Sequence, residues 1–184
     1  MTVAIAIPNY LIGTWKVDPA HSEVGFSVRH LMLSKVRGRF TTYDVTIVTT
    51  PDPLESLVQA TIDLASVDTG NELRDDHLRS ADYFETDAYP AMTYRSSGVR
   101  RTAEGWIVDG ELTLHGVTRR VPLEVEVGGF GPDPFGGYRA GFSATAQLSR
   151  REFGIDLDVP LDGGGVAVGD KVTINLEIQA VLEK

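Results

Sequence analysis

The chain has 184 residues, 17 basic and 26 acidic side chains for a formal net charge of −9, 42% hydrophobic residues and no cysteine. That length fits one globular domain, able to bury roughly 70% of the surface its unfolded form exposes, and the missing thiols exclude disulfides, thiolate metal sites and a cysteine nucleophile. The acidic balance argues against a broad basic face for nucleic acid or an anionic membrane and leaves room only for a local basic site.

Residues 1–12 read as an N-terminal arm: Met1 to Ile7 is apolar, Pro8 interrupts it, and no basic residue precedes Lys16. A secretory signal needs a positive start and a longer apolar stretch, and no run approaches the roughly 18 residues of a membrane span, so a cytoplasmic location without stable membrane insertion is expected. The domain proper, residues 13–184, is dominated by a period of two. Strands are predicted at Thr14 to Val17, then through Val24, Phe26, Val28 and His30, through Val45 and Ile47, and through Ala60, Ile62 and Leu64. Asn71 to Ser80 departs from this rhythm. It lacks Gly, Pro and β-branched residues, which predicts a short helix capped by Asn71 or Thr69, with Leu73 and His77 on one face beside Leu78 and Ala81. Strands resume at Met92 and Tyr94, at Ile107 to Leu114, and at Val121, Leu123, Val125 and Val127. The last two run through Phe142, Ala144, Ala146 and Leu148, and from Val172 to Leu182.

Turn chemistry at Ala103-Glu104-Gly105 and His115-Gly116 predicts hairpins, so three consecutive strands form a meander. Pro51-Asp52-Pro53, Gly128 to Gly137 and Pro160 to Asp170 read as surface loops. Eight or nine antiparallel strands, each apolar on one face, are satisfied by a two-sheet sandwich or a closed barrel, and periodicity alone leaves both open. Trios such as Asp18, His21 and Ser22 invite a catalytic reading, but neighbouring residues of an extended chain point to opposite faces, and hydrogen bonding of a turn explains them as well. The histidines, His21, His30, His77 and His115, show no metal-ligand spacing. Arg100-Arg101, Arg119-Arg120 and Arg150-Arg151 read as solvated charges near strand ends.

Four linked motifs carry a resemblance. Trp15-Lys16-Val17-Asp18-Pro19-Ala20-His21-Ser22-Glu23-Val24-Gly25-Phe26-Ser27-Val28-Arg29-His30, followed by Val36-Arg37-Gly38-Arg39-Phe40, resembles the opening signature of the YceI-like family of lipid-binding proteins. Asp76-His77-Leu78-Arg79-Ser80-Ala81-Asp82-Tyr83-Phe84 with Tyr89-Pro90, Gly110-Glu111-Leu112-Thr113-Leu114-His115-Gly116-Val117-Thr118, and Arg151-Glu152-Phe153-Gly154-Ile155 complete the set in order. Tyr83 stands where Phe is common in the family.

The resemblance implies an all-β fold: an extended antiparallel eight-stranded lipocalin-like β-barrel with one short helix. Its hydrophobic tunnel would take an isoprenoid or other long-chain amphiphile, such as a polyprenyl or quinone-like molecule, for transport, storage or sequestration. On that reading Phe26, Val28, His30, Phe40, Leu64, Leu78, Phe84, Met92, Leu112, Leu114, Phe142 and Ala144 form the ligand-binding wall, and His21, His77 and Arg79 are head-group candidates at the rim. No catalytic residue, cofactor, metal or nucleic-acid partner is expected, and a homodimer is compatible with the resemblance without being required by it. Two other readings stay open: an enzyme using His21 or His30 as acid–base in the cavity, and a haem or metal carrier using His30 or His77.

Overall fold

The computed structural model describes residues 6–184. Its strands are β1 (Gly13–Val17), β2 (Glu23–His30), β3 (Ser34–Phe40), β4 (Tyr43–Thr49), β5 (Leu57–Asp63), β6 (Val67–Asp68), β7 (Ala91–Thr102), β8 (Gly105–Leu114), β9 (Val117–Arg120), β10 (Leu123–Pro132), β11 (Tyr138–Ser149) and β12 (Val168–Leu182). Four pairs, β1/β2, β3/β4, β5/β6 and β9/β10, are each one long stave with a kink. Along β12, for example, Ala180 to Leu182 pair with β1 while Val168 to Glu177 pair with β2. With β7, β8, β11 and β12 this makes eight antiparallel staves, each bonded to the next in chain order. Pairing of the last stave with the first closes the barrel, which removes the free edges an open sheet would carry.

The kinks have chemical causes. Between β1 and β2 the chain makes a 3-10 turn at Pro19–His21, where Pro19 has no N–H to give a ladder and Asp18 caps the Ala20 N–H at 3.0 Å. The run predicted from Val121 to Val127 is likewise split, because Pro122 cannot donate and Val121 sends its N–H to Gly110 O at 2.9 Å. The stretch Gly128 to Gly137, expected as a loop, is half strand: β10 continues to Pro132 after an irregularity between Val127 and Gly129. The turn that remains is organised by Asp133, whose Oδ1 accepts from Phe135 N and Gly137 N at 2.9 and 2.8 Å.

Strand β3 is an addition to the predicted set. Its inward row, Val36, Gly38 and Phe40, is interrupted by a glycine that leaves room for a ring: a Cβ at Gly38 would collide with Phe26. The predicted helix forms as α1 (Glu72–Arg79), with Asn71 Oδ1 accepting the Arg74 N–H at 3.0 Å. Its orientation corrects the expected face. Leu73 is 83% exposed and the buried positions are Asp75 and, in part, Leu78. Asp75 Oδ1 accepts from Thr69 N at 2.9 Å and from the Thr69 hydroxyl, which pins the helix to the chain leaving β6.

Helix α1, the segment after it, the β8–β9 turn and residues 150–167 gather at one end of the barrel; the arm and the β4–β5 and β10–β11 turns gather at the other. Each end has its own apolar cluster. At the helix end Phe40, Leu64, Leu112, Phe153 and their neighbours pack together, and at the arm end Trp15, Ile47, Phe130 and Ala180 do so. The arm belongs to this second cluster from Ile7 onward: Tyr10 meets Phe130 edge-on with ring centroids 5.3 Å apart, and its hydroxyl donates to Thr50 O at 2.8 Å. Residues 1–5 of the predicted arm lie outside the described residues.

Candidate functional site

Between the two clusters the inward rows of the staves enclose a cavity of about 290 Å³. Its lining along β12 runs from Val168 to Ile178, roughly 33 Å of strand at 3.3 Å per residue, or roughly 25 Å along the axis of a barrel whose staves tilt by about 40°. The space is therefore a tunnel, close to the lower end of the ~300–1,000 Å³ seen for small-molecule pockets.

Ten of the twelve residues expected in the wall do line it: Phe26, Val28, Phe40, Leu78, Phe84, Met92, Leu112, Leu114, Phe142 and Ala144. Two do not. Leu64, in a 3-10 turn after β5, is fully buried in the helix-end cluster, and His30, the last residue of β2, is absent from the lining although its strand partner Val168 belongs to it. Sequence reading passed over much of the rest, including Ile47, Val58, Tyr94, Val108, Leu123 and Phe130. Their signal is the same alternation: Tyr94 and Val108 share the parity of Met92 and of Leu112, and Ile47 and Leu123 lie in apolar rows already recognised, so extending each inward row along its strand finds them. Ile7 and Tyr10 of the arm and Tyr83 of the segment after α1 also contribute.

The wall contains several polar side chains, and they turn their polar atoms away from the tunnel. Tyr94 donates to Val121 O at 2.9 Å, its ring lying where a side chain at Gly110 would clash; burial pushes its phenol pKa up. The Thr49 hydroxyl accepts from Trp15 Nε1 at 2.8 Å and donates to Leu11 O at 2.7 Å. Arg150, 4% exposed, sends Nε to Gly169 O at 2.9 Å, Nη1 to Ile155 O at 2.8 Å, and Nη2 to Val168 O and Asp158 Oδ1, both at 2.9 Å. Arg150 is thus a buried brace, correcting its reading as a solvated charge. Arg151 and then Arg150 hold the Asp158 carboxyl below its usual range. Tyr83 likewise gives only apolar ring surface to the tunnel: burial raises its pKa, its ring meets His77 edge-on with centroids 5.0 Å apart, and its hydroxyl makes no hydrogen bond among the described residues.

The rim candidates are occupied elsewhere. His21 sits outside the barrel with Nδ1 2.8 Å from Asp18 Oδ2. That carboxylate also takes Arg139 Nη1 at 2.6 Å, and Arg139 followed by His21 lowers its pKa to about 2. Ser22 faces Gln179, accepting its N–H at 3.0 Å, so Asp18, His21 and Ser22 organise a turn. His77 Nε2 pairs with Asp82 Oδ2 at 2.8 Å in solvent. Arg79 braces α1: its Nε reaches Ala65 O at 2.8 Å, Nη2 reaches Val67 O at 3.2 Å, and Nη1 pairs with Asp76 at 2.8 Å. None of the three lines the tunnel. His115 ties the β8–β9 turn to Phe153 O at 3.0 Å through Nδ1.

The YceI-like domain family matches residues 15–180. A UPF0312 protein of Photorhabdus laumondii is 40% identical over 152 residues, covering 81% of this chain and 79% of that protein. Among solved structures, BcnA of Burkholderia cenocepacia superposes with a TM-score of 0.75 at 26% identity, over 89% of this chain and 98% of that one. A polyisoprenoid binding domain from Saccharophagus degradans shares the fold at 16% identity, with a TM-score of 0.69 over 94% of this chain and all of that domain.

Proposed function

Because the chain belongs to the YceI-like domain family, we propose that its barrel binds one long-chain isoprenoid-type lipid and carries or sequesters it without catalysis. The observation that carries this reading is the tunnel: narrow, elongated, and lined by apolar surface even at Tyr94, Thr49 and Arg150. Hydrocarbon gains from entering such a space. Ten methylenes removed from water contribute roughly 8 kcal/mol before the ordering costs of binding are subtracted. A buried polar group without a partner loses a few kcal/mol, so the wall selects a tail and excludes a polar chain. Binding of polyisoprenoids by the Saccharophagus domain of the same fold agrees with this. With no polar atom on the wall and His21, His77 and Arg79 engaged elsewhere, a polar head stays at the mouth in contact with water. The acid–base reading loses its geometry, since neither His21 nor His30 lines the tunnel.

The test is a titration with prenyl alcohols of increasing length, followed by the fluorescence of Trp106, which lines the tunnel. Affinity is expected to rise by about tenfold or more per isoprene unit until the tunnel is full. Affinity that does not change with chain length would remove the proposal.

A further inference from the structure

The turn joining β2 to β3 sits oddly on an acidic protein. Between Val24 and Tyr43 there is no Asp or Glu, while Arg29, Lys35, Arg37 and Arg39 fall in that window. Arg39 is paired with Asp68 at 3.3 Å; Arg29, Lys35 and Arg37 are exposed and have no carboxylate partner among the described residues. At the tip stand three large apolar side chains, with Leu31 40%, Met32 49% and Leu33 82% exposed. Val159, 52% exposed, lies on the neighbouring loop, which is held to the tip by Leu31 N to Ala167 O at 2.8 Å.

The backbone makes this choice of residues costly. Leu31 and Met32 have φ of 53° and 57°, and Leu33 N donates to His30 O at 3.0 Å, a turn with both central residues left-handed. Such a turn favours Asn-Gly, and side chains with a Cβ are disfavoured there. Folding alone would not select Leu and Met at these positions. Carboxylates on the facing loop make no ion pair with these basic side chains among the described residues: Asp158 is paired with Arg150 and Arg151, and Asp170 lies 4.0 Å from Arg151 Nε.

We propose that the β2–β3 turn is a docking tip for anionic lipid bilayers, with Leu31, Met32 and Leu33 entering the headgroup region and Arg29, Lys35 and Arg37 facing the lipid phosphates. The pattern of an apolar wedge with a basic collar is what interfacial binding requires, and a bilayer is the partner that matches both halves at once. The same stave carries Val28 into the tunnel, and Val168, paired with His30, lines it too. Docking therefore sets the helix end of the barrel against the membrane, close to a source or destination for a lipid. The proposal goes beyond the cargo reading and stands whether or not the tunnel is filled.

The experiment is co-sedimentation of the full chain with phosphatidylcholine vesicles, with and without phosphatidylglycerol. Binding is expected to the anionic vesicles, to weaken as salt is raised, and to be much lower on neutral ones. The triple variant Leu31→Asn/Met32→Gly/Leu33→Ser suits the turn better, so it should keep or raise the melting temperature while vesicle affinity falls by at least about tenfold. Lys35→Gln and Arg37→Gln should each cost about fivefold. Wild-type protein left in the supernatant with both vesicle types would overturn the proposal, as would a triple variant that binds like wild type. A triple variant that changes only the oligomeric state would assign the tip to a second copy of the chain instead and would equally overturn it.

Discussion

Ala144→Trp is expected to lower affinity for a long prenyl chain by about 100-fold or more while the barrel still folds. Ala144 faces inward from the middle of β11, pairs with Leu176 and Val125, and lines the tunnel. An indole there occupies space that is empty rather than packed, so the usual overpacking cost of about 1–3 kcal/mol is reduced. A chain entering from either end loses the far half of its contact. Forfeiting burial of even four methylenes costs roughly 3 kcal/mol, which is the stated factor. Thr145→Trp, one residue on and exposed on the outer face, is the control and should leave affinity unchanged. A folded Ala144→Trp variant with wild-type affinity would place the ligand somewhere other than the tunnel.

Arg150→Met is expected to destabilise the protein by about 3–5 kcal/mol, a fall of roughly 10 °C or more in melting temperature. The methionine replaces the aliphatic stem that lines the tunnel, so packing changes little. The loss comes from the guanidinium, which joins the 3-10 turn at the end of β11 to Ile155, Asp158, Val168 and Gly169. Three carbonyls lose their donor and must either stay unpaired or let the 155–169 segment lift. Arg150→Lys should recover only part of the stability, because one ammonium cannot reach three diverging oxygens as a planar fork does. Denaturant unfolding of the three proteins measures this. A loss below about 1 kcal/mol for Arg150→Met would show that the brace has little energetic weight.

The strands were legible because one face of each stave is wet, whereas closure into a barrel was implied by the family resemblance, since the alternation fits a sandwich equally. From Val172 to Leu182 the alternation states both the strand and its inward row, and His115-Gly116, with φ of 54° and 73°, closes the hairpin its residue types suggest. What stayed hidden depends on partners distant in sequence. Gly38 weakens the β3 pattern because the missing side chain is supplied by Phe26 from the neighbouring stave. The kink at Pro122 is visible only as a missing donor inside an otherwise regular run. Helix α1 was found from its cap, but its buried Asp75 was not, since an acidic residue is assigned to solvent until its partner at Thr69 is known.

Charged residues show the same limit. Arg150 and Arg79 look like surface cations in sequence and are braces in space, because backbone carbonyls, which carry no sequence signature, are their partners. The net charge of −9 also proved uneven, with a window from Val24 to Tyr43 that carries no acid at all.

The central claim, that the tunnel holds a long hydrocarbon chain, is tested most directly by what the purified protein carries. Gentle purification, organic extraction and mass spectrometry should yield a long-chain isoprenoid-type amphiphile at close to one molecule per barrel, absent from Ala144→Trp purified in parallel. Protein that comes out empty, and whose melting temperature does not rise when prenyl lipids are added, would contradict the account, since a ligand that binds only the folded barrel must stabilise it.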